Sequence, residues 1–410
     1  MNNKKNNRKK RILYVENGIG YGGAIICLRH LVRNLDRSQF EPYMVTGRSG
    51  EDYRQIEGET AWKHIPDRYL EINQYKDILD KNTILRKIPG ARRLVHQLMG
   101  RADDIINFLP FFLRFLKLVK NLKPDLIHVN NEPLCNRAAI LSGKLMKIPV
   151  VCHVRGGQKG SAMMKWLYRM PDHFIPVSHW ISKSIGNLGV PKSKRTVIYD
   201  GISFDNLNFN ADGMPFRDKY KISRDDFTVG LIGMLIPWKG QRDFIDATNI
   251  LKDKIPNLKM MIIGGTPDEF KSYEEELRKR VKDEKLEKTV IFTGHQTDME
   301  TVYNALDIAV SASSSPEPLG TMVIETMVMG RPLIAPAHGG GAEMTEHGKT
   351  GLLFKPGEGR DLADSILKFY NHPDLRYKYG KAAKEKALET FSVKTHVTHV
   401  QSVYGEILSK

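Results

Sequence analysis

Two glutamates stand eight positions apart in the segment PEPLGTMVIETMVMGRP, which spans residues 316–332. Glu317 precedes a pattern typical of a helix, and Glu325 falls about one turn inside that helix. Each carboxylate can accept two hydrogen bonds from hydroxyl groups. A single such glutamate is usually a solvated residue on a helix flank, but the pair suits a ligand with many hydroxyls.

The same helix opens with the amides of Leu319, Gly320 and Thr321, which have no intrahelical acceptor and can meet an anion. A second strand–loop–helix segment, GMLIPWKGQRDF, places Lys239 where another helix begins. Helix amides and an ammonium group together favour phosphate binding. These residues therefore predict a ligand that carries phosphate.

The segment GIGYGGA lies between a strand pattern and a helix pattern and fits G-x-G-x-x-G through Gly18, Gly20 and Gly23. That motif is typical of dinucleotide sites, which need an acidic residue at the end of the second strand. Here that position reads Gly47-Arg48, which fits NAD poorly and NADP only loosely. An NADP-dependent oxidoreductase is therefore an alternative hypothesis. The glycines also allow any substrate to approach a helix N-terminus closely.

Twelve short β-rich runs alternate with longer helical patterns along the chain. They cover residues 11–17, 42–48, 125–130, 149–155, 173–178, 195–201, 227–235, 259–265, 289–294, 307–313, 332–336 and 351–357. Most are apolar on both faces, as strands of a helix-covered parallel sheet must be. The alternation predicts an α/β protein with two Rossmann-like, doubly wound domains that face each other across a cleft. The Asn-, Asp- and Gly-rich segment 200–220 is the predicted linker.

The bulk composition indicates a globular protein, and its excess of basic residues predicts an acidic partner. At 410 residues two domains are expected. The 63 basic and 47 acidic residues give a net charge of +16, which favours phosphorylated ligands, nucleic acid or an anionic membrane. The three cysteines include no CxxC pair, which argues against a disulfide framework or a zinc ribbon. No apolar run is long enough to span a membrane, so we expect a cytoplasmic protein.

Two neighbouring segments carry an unusual density of basic residues. Residues 81–101 contain six Lys or Arg and no acidic residue, and residues 107–123 mix bulky apolar side chains with four more cations. A basic amphipathic helix can lie on an anionic membrane surface. We predict such contact through 81–101, on the inner face of the cell membrane. Residues 107–123 lead directly into a strand and are predicted to pack as a crossover helix with a solvated basic face.

The glutamate pair, followed by G-R-P and GGxxE, resembles the retaining glycosyltransferases of family 4 (group 1), which have the GT-B fold. Supporting motifs occur in the family's order: GYGGA, DLIHVNN, CHVRGG, VSHWIS, VIYDGISF, IGMLIPWKGQ, GH and HGKTGLLFKPG. The resemblance spans nearly the whole chain, although residues 50–120 match nothing specific. The sequence has no basic–aromatic array of the kind that would indicate nucleic-acid binding, so we expect no nucleic-acid partner.

The resemblance implies roles for the residues around the glutamate pair. Glu317 would hold hydroxyls of the donor sugar, and Glu325 the ribose hydroxyls of the nucleotide. The diphosphate would lie between the side chain of Lys239 and a group of backbone amides. Those amides belong to Leu319, Gly320 and Thr321.

Further roles follow from the resemblance at more distant positions. His295 would lie near the base, and Gly22 and Gly23 would let the first loop approach the donor phosphate. His153 matches a catalytic histidine that reaches the donor sugar near the reacting carbon. Many relatives carry an arginine where this chain has Met234. Arg242 or Arg155 could supply the missing positive charge at the diphosphate.

The resemblance also implies the domain plan. We expect an N-terminal acceptor-binding domain over 1–203, with a basic insertion at about 75–120, and a linker over 204–222. The donor-binding domain would span 223–388. A C-terminal helix over 389–410 would pack back on the N-terminal domain.

The implied function is transfer of a sugar, with retention, from a nucleotide-sugar to a glycan or lipid-linked acceptor in cell-surface polysaccharide biosynthesis. No metal and no cofactor other than the nucleotide-sugar co-substrate is expected, since no Asp-x-Asp motif or His/Cys ligand cluster occurs. A catalytically inactive GT-B scaffold is a further alternative, because Met234 removes a cation from the site.

Overall fold

The computed structural model describes residues 8–18, 22–72, 75, 90–157, 160, 162–205 and 207–409. The backbone divides into two compact units, each built on one parallel sheet. Unit 1 comprises residues 1–177, 181–198 and 396–410, and unit 2 comprises residues 178–180 and 199–395. None of the described helices is both long enough and apolar enough to cross a membrane.

Unit 1 has a six-stranded sheet in the order β3-β2-β1-β4-β5-β6. Its strands are β1 Lys10–Glu16, β2 Phe40–Thr46, β3 Ala61–His64, β4 Leu126–Val129, β5 Val150–Val154 and β6 His173–Pro176. Its helices are α1 Gly23–Arg33, α2 Glu51–Arg54, α3 Ala91–Asp103, α4 Leu109–Leu122, α5 Arg137–Met146, α6 Ala162–Leu167 and α7 His179–Gly186, whose first two residues belong to unit 2. Short 3₁₀ turns cover Gln55–Gly58 and Lys192–Lys194.

Unit 2 has a six-stranded sheet in the order β12-β11-β10-β7-β8-β9. Its strands are β7 Phe227–Ile232, β8 Leu258–Ile263, β9 Val290–Gly294, β10 Ile308–Val310, β11 Leu333–Pro336 and β12 Leu352–Phe354. Its helices are α8 Met214–Lys219, α9 Gln241–Leu251, α10 Lys271–Asp283, α11 Met299–Ala305, α12 Thr321–Val328, α13 Gly339–Met344, α14 Gly359–Asn371 and α15 Pro373–Thr390. Helix α16, Val393–Leu408, begins in unit 2 and ends in unit 1, and 3₁₀ turns cover Pro237–Lys239 and Asp268–Phe270.

Numbered within its own unit, each sheet has the strand order 3-2-1-4-5-6, which is the doubly wound Rossmann order. The central strands are buried on both faces. In β8, for example, Met260 and Ile262 join the core on one face, whereas Met261 and Ile263 join the core on the other. The predicted fold class, two Rossmann-like domains of the GT-B type, is confirmed.

One predicted strand of unit 1 is wrong. Residues 195–201 form no strand and make only a single bridge, between Arg195 and Phe174. The sixth strand is instead β3, with the sequence AWKH, at the edge of the sheet. Its side chains are exposed or half-buried, so it lacks the apolar pattern of the buried strands.

Helices α3 and α4 are joined by a π-helical turn, Asp104–Phe108, and form one long helix. The side chain of Asn107 is buried in this turn. It accepts hydrogen bonds from the amides of Tyr69 and Leu70 and donates one, 2.8 Å long, to the carbonyl of Leu70. Helix α4 buries Phe111, Phe115 and Val119, as predicted for a crossover helix, whereas α3 buries no residue.

Candidate functional site

Glycines hold the loops at the carboxyl ends of β7, β8 and β9 close together in unit 2. Gly264 has a φ of +154°, and a Cβ there would collide with the carbonyl of Gly233. A Cβ on Gly265 would lie 3.3 Å from the Cβ of His295. The predicted residue His295 is therefore exposed at the edge where a doubly wound sheet binds ligands.

Lys239 ends a 3₁₀ turn that is pinned to the end of β10. The next residue, Gly240, has a φ of +78°, and a Cβ there would collide with the carbonyl of Ala312. This close approach places the Lys239 Nζ 2.8 Å from Oε2 of Glu317. The two side chains are 14% and 17% exposed, so the pair is shielded from solvent but still accessible. The structure thus joins two predicted residues that lie 78 positions apart in the sequence.

The loop that carries Glu317 is fixed from several sides. The Ser313 hydroxyl donates to Oε1 of Glu317, and the His338 Nε2–H donates to the Ser313 carbonyl over 2.8 Å. The amide of Gly340 donates to the Glu317 carbonyl over 2.9 Å. A Cβ on Gly340 would lie only 2.5 Å from the carbonyl oxygen of Pro318. Glycine is therefore required here for the two loops to pack.

Helix α12 begins at Thr321, directly after the Glu317 loop. Gly320 precedes it as the N-cap, with a φ of +81°, a conformation that favours glycine. The amides of Leu319, Gly320 and Thr321 precede the first hydrogen-bonded turn and therefore have no intrahelical acceptor. The helix start, Lys239 and Glu317 together can bind an anion beside a hydroxyl-bearing group.

Glu325 lies within α12, away from the Lys239–Glu317 pair. Its Oε2 accepts a hydrogen bond of 2.8 Å from the Tyr303 hydroxyl. Burial raises the pKa of Glu325, and the Tyr303 hydrogen bond opposes this shift. Glu325 and Tyr303 line a cavity of about 390 Å³ together with Thr297 and Met299. The two carboxylates of the motif thus face different surroundings, as separate roles require.

Arg242 and Arg155, named above as possible substitutes for the arginine expected at position 234, each have a side-chain partner of their own. Met234 is 51% exposed, and its carbonyl accepts a hydrogen bond of 2.9 Å from the Gln241 side chain. Arg242 makes two hydrogen bonds of 2.8 Å to the carboxylate of Glu276. Arg155 belongs to unit 1, where it donates to the Asn130 side chain.

The glycines of the first loop differ in what surrounds them. A Cβ on Gly18 would lie 2.5 Å from Oε1 of Glu16, whose carboxylate accepts a hydrogen bond from the Gly18 amide. Gly18 therefore fits a contact within unit 1. A Cβ on Gly22 or Gly23 would meet no atom within 4 Å in the part of the chain that the structure describes. Gly20 lies outside the described residues.

His153 is the last residue but one of β5 and is fully buried in unit 1. Its ring packs against His128, with centroids 5.5 Å apart, and stacks on His396 at 5.6 Å. Burial lowers the pKa of His153 well below its usual value, and the nearby Arg155 lowers it further. The ring has a core environment, so contact with a ligand would require its neighbours to move. A catalytic role for His153 stays a prediction.

Several residues of the unit 2 site were not singled out from the sequence. Tyr303 reads as an ordinary apolar position of a helix, and its hydrogen bond to Glu325 joins two successive helices across 22 positions. Ser313 ends a predicted strand, and His338 directly precedes the GGxxE motif. Only these last two positions offered a signal, because each follows a strand at the carboxyl edge of the sheet. No described group of three or more His, Cys, Asp or Glu side chains could hold a metal ion.

Comparison with known families decides the classification. Residues 215–386 match the family described as "Glycosyl transferases group 1", and residues 21–206 match "Glycosyltransferase Family 4". The chain belongs to these glycosyltransferases. The two matches lie in units 2 and 1, respectively, apart from the few residues near their junction.

Individual members of the family resemble the chain at moderate identity. EpsD of Bacillus subtilis (strain 168), which is named as a glycosyltransferase, is 26% identical over 321 residues, or 72% of this chain and 80% of EpsD. The capsular polysaccharide biosynthesis glycosyltransferase CapM of Staphylococcus aureus is 24% identical over 212 residues. That match covers 52% of this chain and 54% of CapM.

Solved glycosyltransferase structures share the fold of the whole chain. The glycosyltransferase from Rickettsia africae ESF-5 superimposes with a TM-score of 0.81 at 19% identity, over 98% of this chain and 99% of that one. Anabaena Alr3699/HepE in complex with UDP gives a TM-score of 0.79 at 21% identity, over 97% of this chain and 100% of that one.

Proposed function

We propose that this glycosyltransferase moves a sugar from a nucleotide-diphosphate donor, bound by unit 2, to a glycan or lipid-linked acceptor, with retention of the anomeric configuration. The observation that carries the proposal is the arrangement around α12. Lys239 and Glu317 form a 2.8 Å pair at the helix start, and Glu325 lines a separate cavity. This arrangement offers one place for a diphosphate and sugar and another for a ribose.

In this proposal, donor binding changes the hydrogen-bond partners of Lys239 and Glu317. Donor phosphate would replace Glu317 as the partner of the Lys239 ammonium. Glu317 would then be able to accept hydrogen bonds from sugar hydroxyls. As the bond between the anomeric carbon and the phosphate oxygen breaks, negative charge grows on the leaving diphosphate. Lys239 and the α12 amides would stabilise that charge in the transition state.

Retention without a covalent enzyme intermediate requires that the acceptor oxygen attack from the face that the diphosphate leaves. The new bond joins this oxygen to an oxocarbenium-like anomeric carbon. The hydroxyl proton passes to the departing phosphate oxygen, so the products are the glycoside and a nucleoside diphosphate. This route needs no metal and no protein nucleophile.

Known relatives support the donor class and the pathway. A similar Anabaena HepE structure was solved with UDP-glucose, and CapM is named for capsular polysaccharide biosynthesis. We therefore propose a UDP-sugar as the first donor to test and cell-surface polysaccharide assembly in the cytoplasm as the pathway.

A thermal-shift screen of UDP-, GDP- and ADP-sugars tests the donor proposal directly. One class should raise the melting temperature in proportion to the logarithm of its concentration above the Kd. Glu325→Gln should weaken that shift, and the exposed Glu287→Gln is a matched control. If no nucleotide-sugar stabilises the protein, the donor proposal fails, and a catalytically inactive scaffold becomes the better hypothesis.

The glycosyltransferase hypothesis is favoured over an NADP-dependent oxidoreductase. Arg48, the residue that would bind the 2′-phosphate, lies 3.5 Å from Asp67 and 3.3 Å from Glu71 in ion pairs. Gly18, the first glycine of the dinucleotide motif, is required by its close contact with the Glu16 carboxylate, so its presence does not indicate a cofactor. Fluorescence titration with NADPH should show no saturable binding.

We also propose that α3 lies on an anionic membrane surface at the inner face of the cell membrane. Of the segment 81–101, residues 90–101 are described and the rest lies outside the described residues. Leu94 and Leu98 are 58% and 61% exposed on the same helix as Arg93 and Arg101. Flotation with phosphatidylglycerol vesicles should fall about fivefold with Arg93→Gln, because each basic residue contributes about 1 kcal/mol near such a surface. The exposed Lys254→Gln in unit 2 should float like the wild type.

A further inference from the structure

Unit 1 contains an apolar groove that the donor site does not use. It has a volume of about 350 Å³, within the range of ligand pockets. Ile105, Phe108 and Leu109 form one wall. The opposite wall consists of apolar side chains from other elements: Leu134, Leu141, Trp166 and Leu167.

The groove lies at the edge of the unit 1 sheet where ligands are expected. Leu134 belongs to the segment after β4, and Trp166 lies in the helix after β5. Helix α4 runs into β4, so its first residue, Leu109, also lies at the carboxyl edge of the strands. In doubly wound folds this edge binds substrates.

The side chains of the groove wall are unusually exposed for their type. Ile105 is 66% exposed and Trp166 is 54% exposed. Soluble proteins rarely leave large apolar patches uncovered unless something binds there. Leu94, Leu98, Ile105 and Leu109 are spaced by four, seven and four residues, so they follow one face of the α3–α4 helix. The groove is therefore continuous with the proposed membrane-facing side of α3.

The charges near the groove favour an anionic amphiphile. Arg137 pairs with Asp104 at 2.7 Å and lies over the Phe108 ring at 4.1 Å. Arg101 approaches the same carboxylate at 3.9 Å, so two arginines face one aspartate. A second copy of the chain is disfavoured as the occupant, because each copy carries a net charge of +16.

We propose that this groove binds the hydrocarbon chain of a lipid-linked acceptor whose phosphate lies toward Arg137 and Arg101. The inference rests on the proposed function, because it narrows the acceptor to an anionic lipid carrier. The chain would leave the bilayer at α3 and enter the groove through Ile105 and Leu109. Its attached glycan would thereby be held at the carboxyl edge of unit 1.

Monomeric dodecyl phosphate, below its micelle concentration, is the first probe, and butyl phosphate is its short-chain counterpart. Calorimetry should show one dodecyl phosphate per chain, with a Kd at least about tenfold lower than that of butyl phosphate, because the longer chain buries more methylene groups in the groove. Equal affinities, or binding that does not saturate, would overturn the proposal.

Exposed positions allow variants that should fold. Leu109→Ser should raise the Kd for dodecyl phosphate about fivefold to tenfold, whereas Leu145→Ser should leave it unchanged. Leu145 is also exposed and lies on α5, but it does not line the groove. An unchanged Kd for dodecyl phosphate in Leu109→Ser contradicts the proposal. This holds even if the variant floats less with phosphatidylglycerol vesicles, because the groove would then contact only the bulk lipid of a membrane.

UDP-sugar binding, measured on the same samples by thermal shift, separates the two proposals. If the protein binds a UDP-sugar but shows no preference for dodecyl over butyl phosphate, the donor proposal stands and the proposal for the groove fails. A protein that prefers dodecyl phosphate but binds no nucleotide-sugar loses the proposed function, and the acceptor assignment falls with it.

Discussion

The two units share one strand order but use polar residues in opposite ways. In unit 2, Lys239 and Glu317 meet on loops after the strands and remain partly exposed. In unit 1, His128 and His153 lie on the strands themselves and are fully buried. The same topology therefore leaves polar groups partly exposed on loops in one unit and packs them into the core in the other.

Glu16 illustrates the second use. Its carboxylate accepts hydrogen bonds from the Gly18 amide and the Asn131 side chain, both 2.6 Å long, and from Asn130. Burial raises the pKa of Glu16, and these hydrogen bonds oppose the shift. All of these partners belong to unit 1, so Glu16 fixes the start of the first loop. By contrast, Glu317 is paired with the Lys239 ammonium, which under the proposed function would bind the donor phosphate instead.

The largest effect is expected for Lys239→Met. Loss of a cation that stabilises transition-state charge should lower kcat/KM about 10²- to 10³-fold. Because the two side chains are only 14% and 17% exposed, Lys239→Met also leaves the Glu317 carboxylate without its cation, and we expect the free energy of unfolding to fall by about 1 to 3 kcal/mol.

Steady-state transfer rates and denaturant titrations check this expectation. The exposed Lys254→Met is the control for loss of one positive charge. Equal rates for the two variants would show that Lys239 serves the structure only, and the contrast between the units would disappear.

The next effect concerns glycines. Gly340→Ala would place a Cβ 2.5 Å from the Pro318 carbonyl oxygen, so we expect it to destabilise unit 2 by about 1 to 3 kcal/mol. Gly22→Ala meets no described atom within 4 Å and should leave stability unchanged. If Gly22 approaches the donor, as the family resemblance implies, Gly22→Ala should still lower kcat/KM.

Urea unfolding and donor kinetics distinguish the two kinds of glycine. Comparable destabilisation by both substitutions would refute the distinction between a packing glycine and a ligand-facing one. Unchanged kinetics in Gly22→Ala would remove Gly22 from the site.

The contrast between the units also explains what the sequence could predict. The strands of unit 2 are apolar on both faces, and all six were located. The site motifs lie on loops whose glycines meet backbone directly, as at Gly240 and Gly340. Such contacts tolerate no side chain, so motif and geometry correspond closely.

Unit 1 is harder to predict because its decisive contacts join distant segments. The Tyr404 hydroxyl bonds to Nδ1 of His128 over 2.7 Å, across 276 positions. The edge strand β3 has too few buried residues to show a pattern. His153 matched a family motif, but no periodicity could show that His396 would stack on it. Tyr303 in unit 2 escaped prediction because its side chain bonds to the next helix, a contact that the periodicity of its own helix does not show.

The buried histidines predict an acid-labile unit 1. Burial holds the pKa of His128 and of His153 well below the ordinary value of 6.5. Both side chains are neutral in the folded protein, whereas in the unfolded chain they bind protons below pH 6.5. The free energy of unfolding is therefore unaffected by them above pH 6.5 and declines as the pH falls toward the folded-state pKa. At one pH unit below 6.5, each should cost about 1.4 kcal/mol of stability.

Hydrogen exchange of β4 and β5 amides between pH 7.5 and 5.5, corrected for intrinsic rates, measures this loss. His153→Gln should reduce the pH dependence, whereas His399→Gln, an exposed position on α16, should not. A pH dependence that is equal in both variants and the wild type would assign the effect to other groups.

The smallest effect, and the most specific to unit 2, is expected for Tyr303→Phe. The Tyr303 hydroxyl is the hydrogen-bond donor that opposes the raised pKa of Glu325, so its removal should raise that pKa further. Protonation turns one oxygen of the carboxylate into a hydroxyl donor and so weakens its ability to accept hydrogen bonds from a ligand. Donor affinity should therefore weaken as the pH falls, and in Tyr303→Phe this weakening should begin at a higher pH.

We expect Tyr303→Phe to lose about fivefold in donor affinity at neutral pH, equivalent to roughly 1 kcal/mol for one hydrogen bond. Calorimetric titration of the nucleotide-sugar across pH 5.5 to 8 measures both terms, and Tyr377→Phe, at an exposed position of α15, is the control. A uniform loss at every pH would mean that Tyr303 shapes the cavity without tuning Glu325, and the ribose role of Glu325 would then have to rest on Glu325→Gln alone.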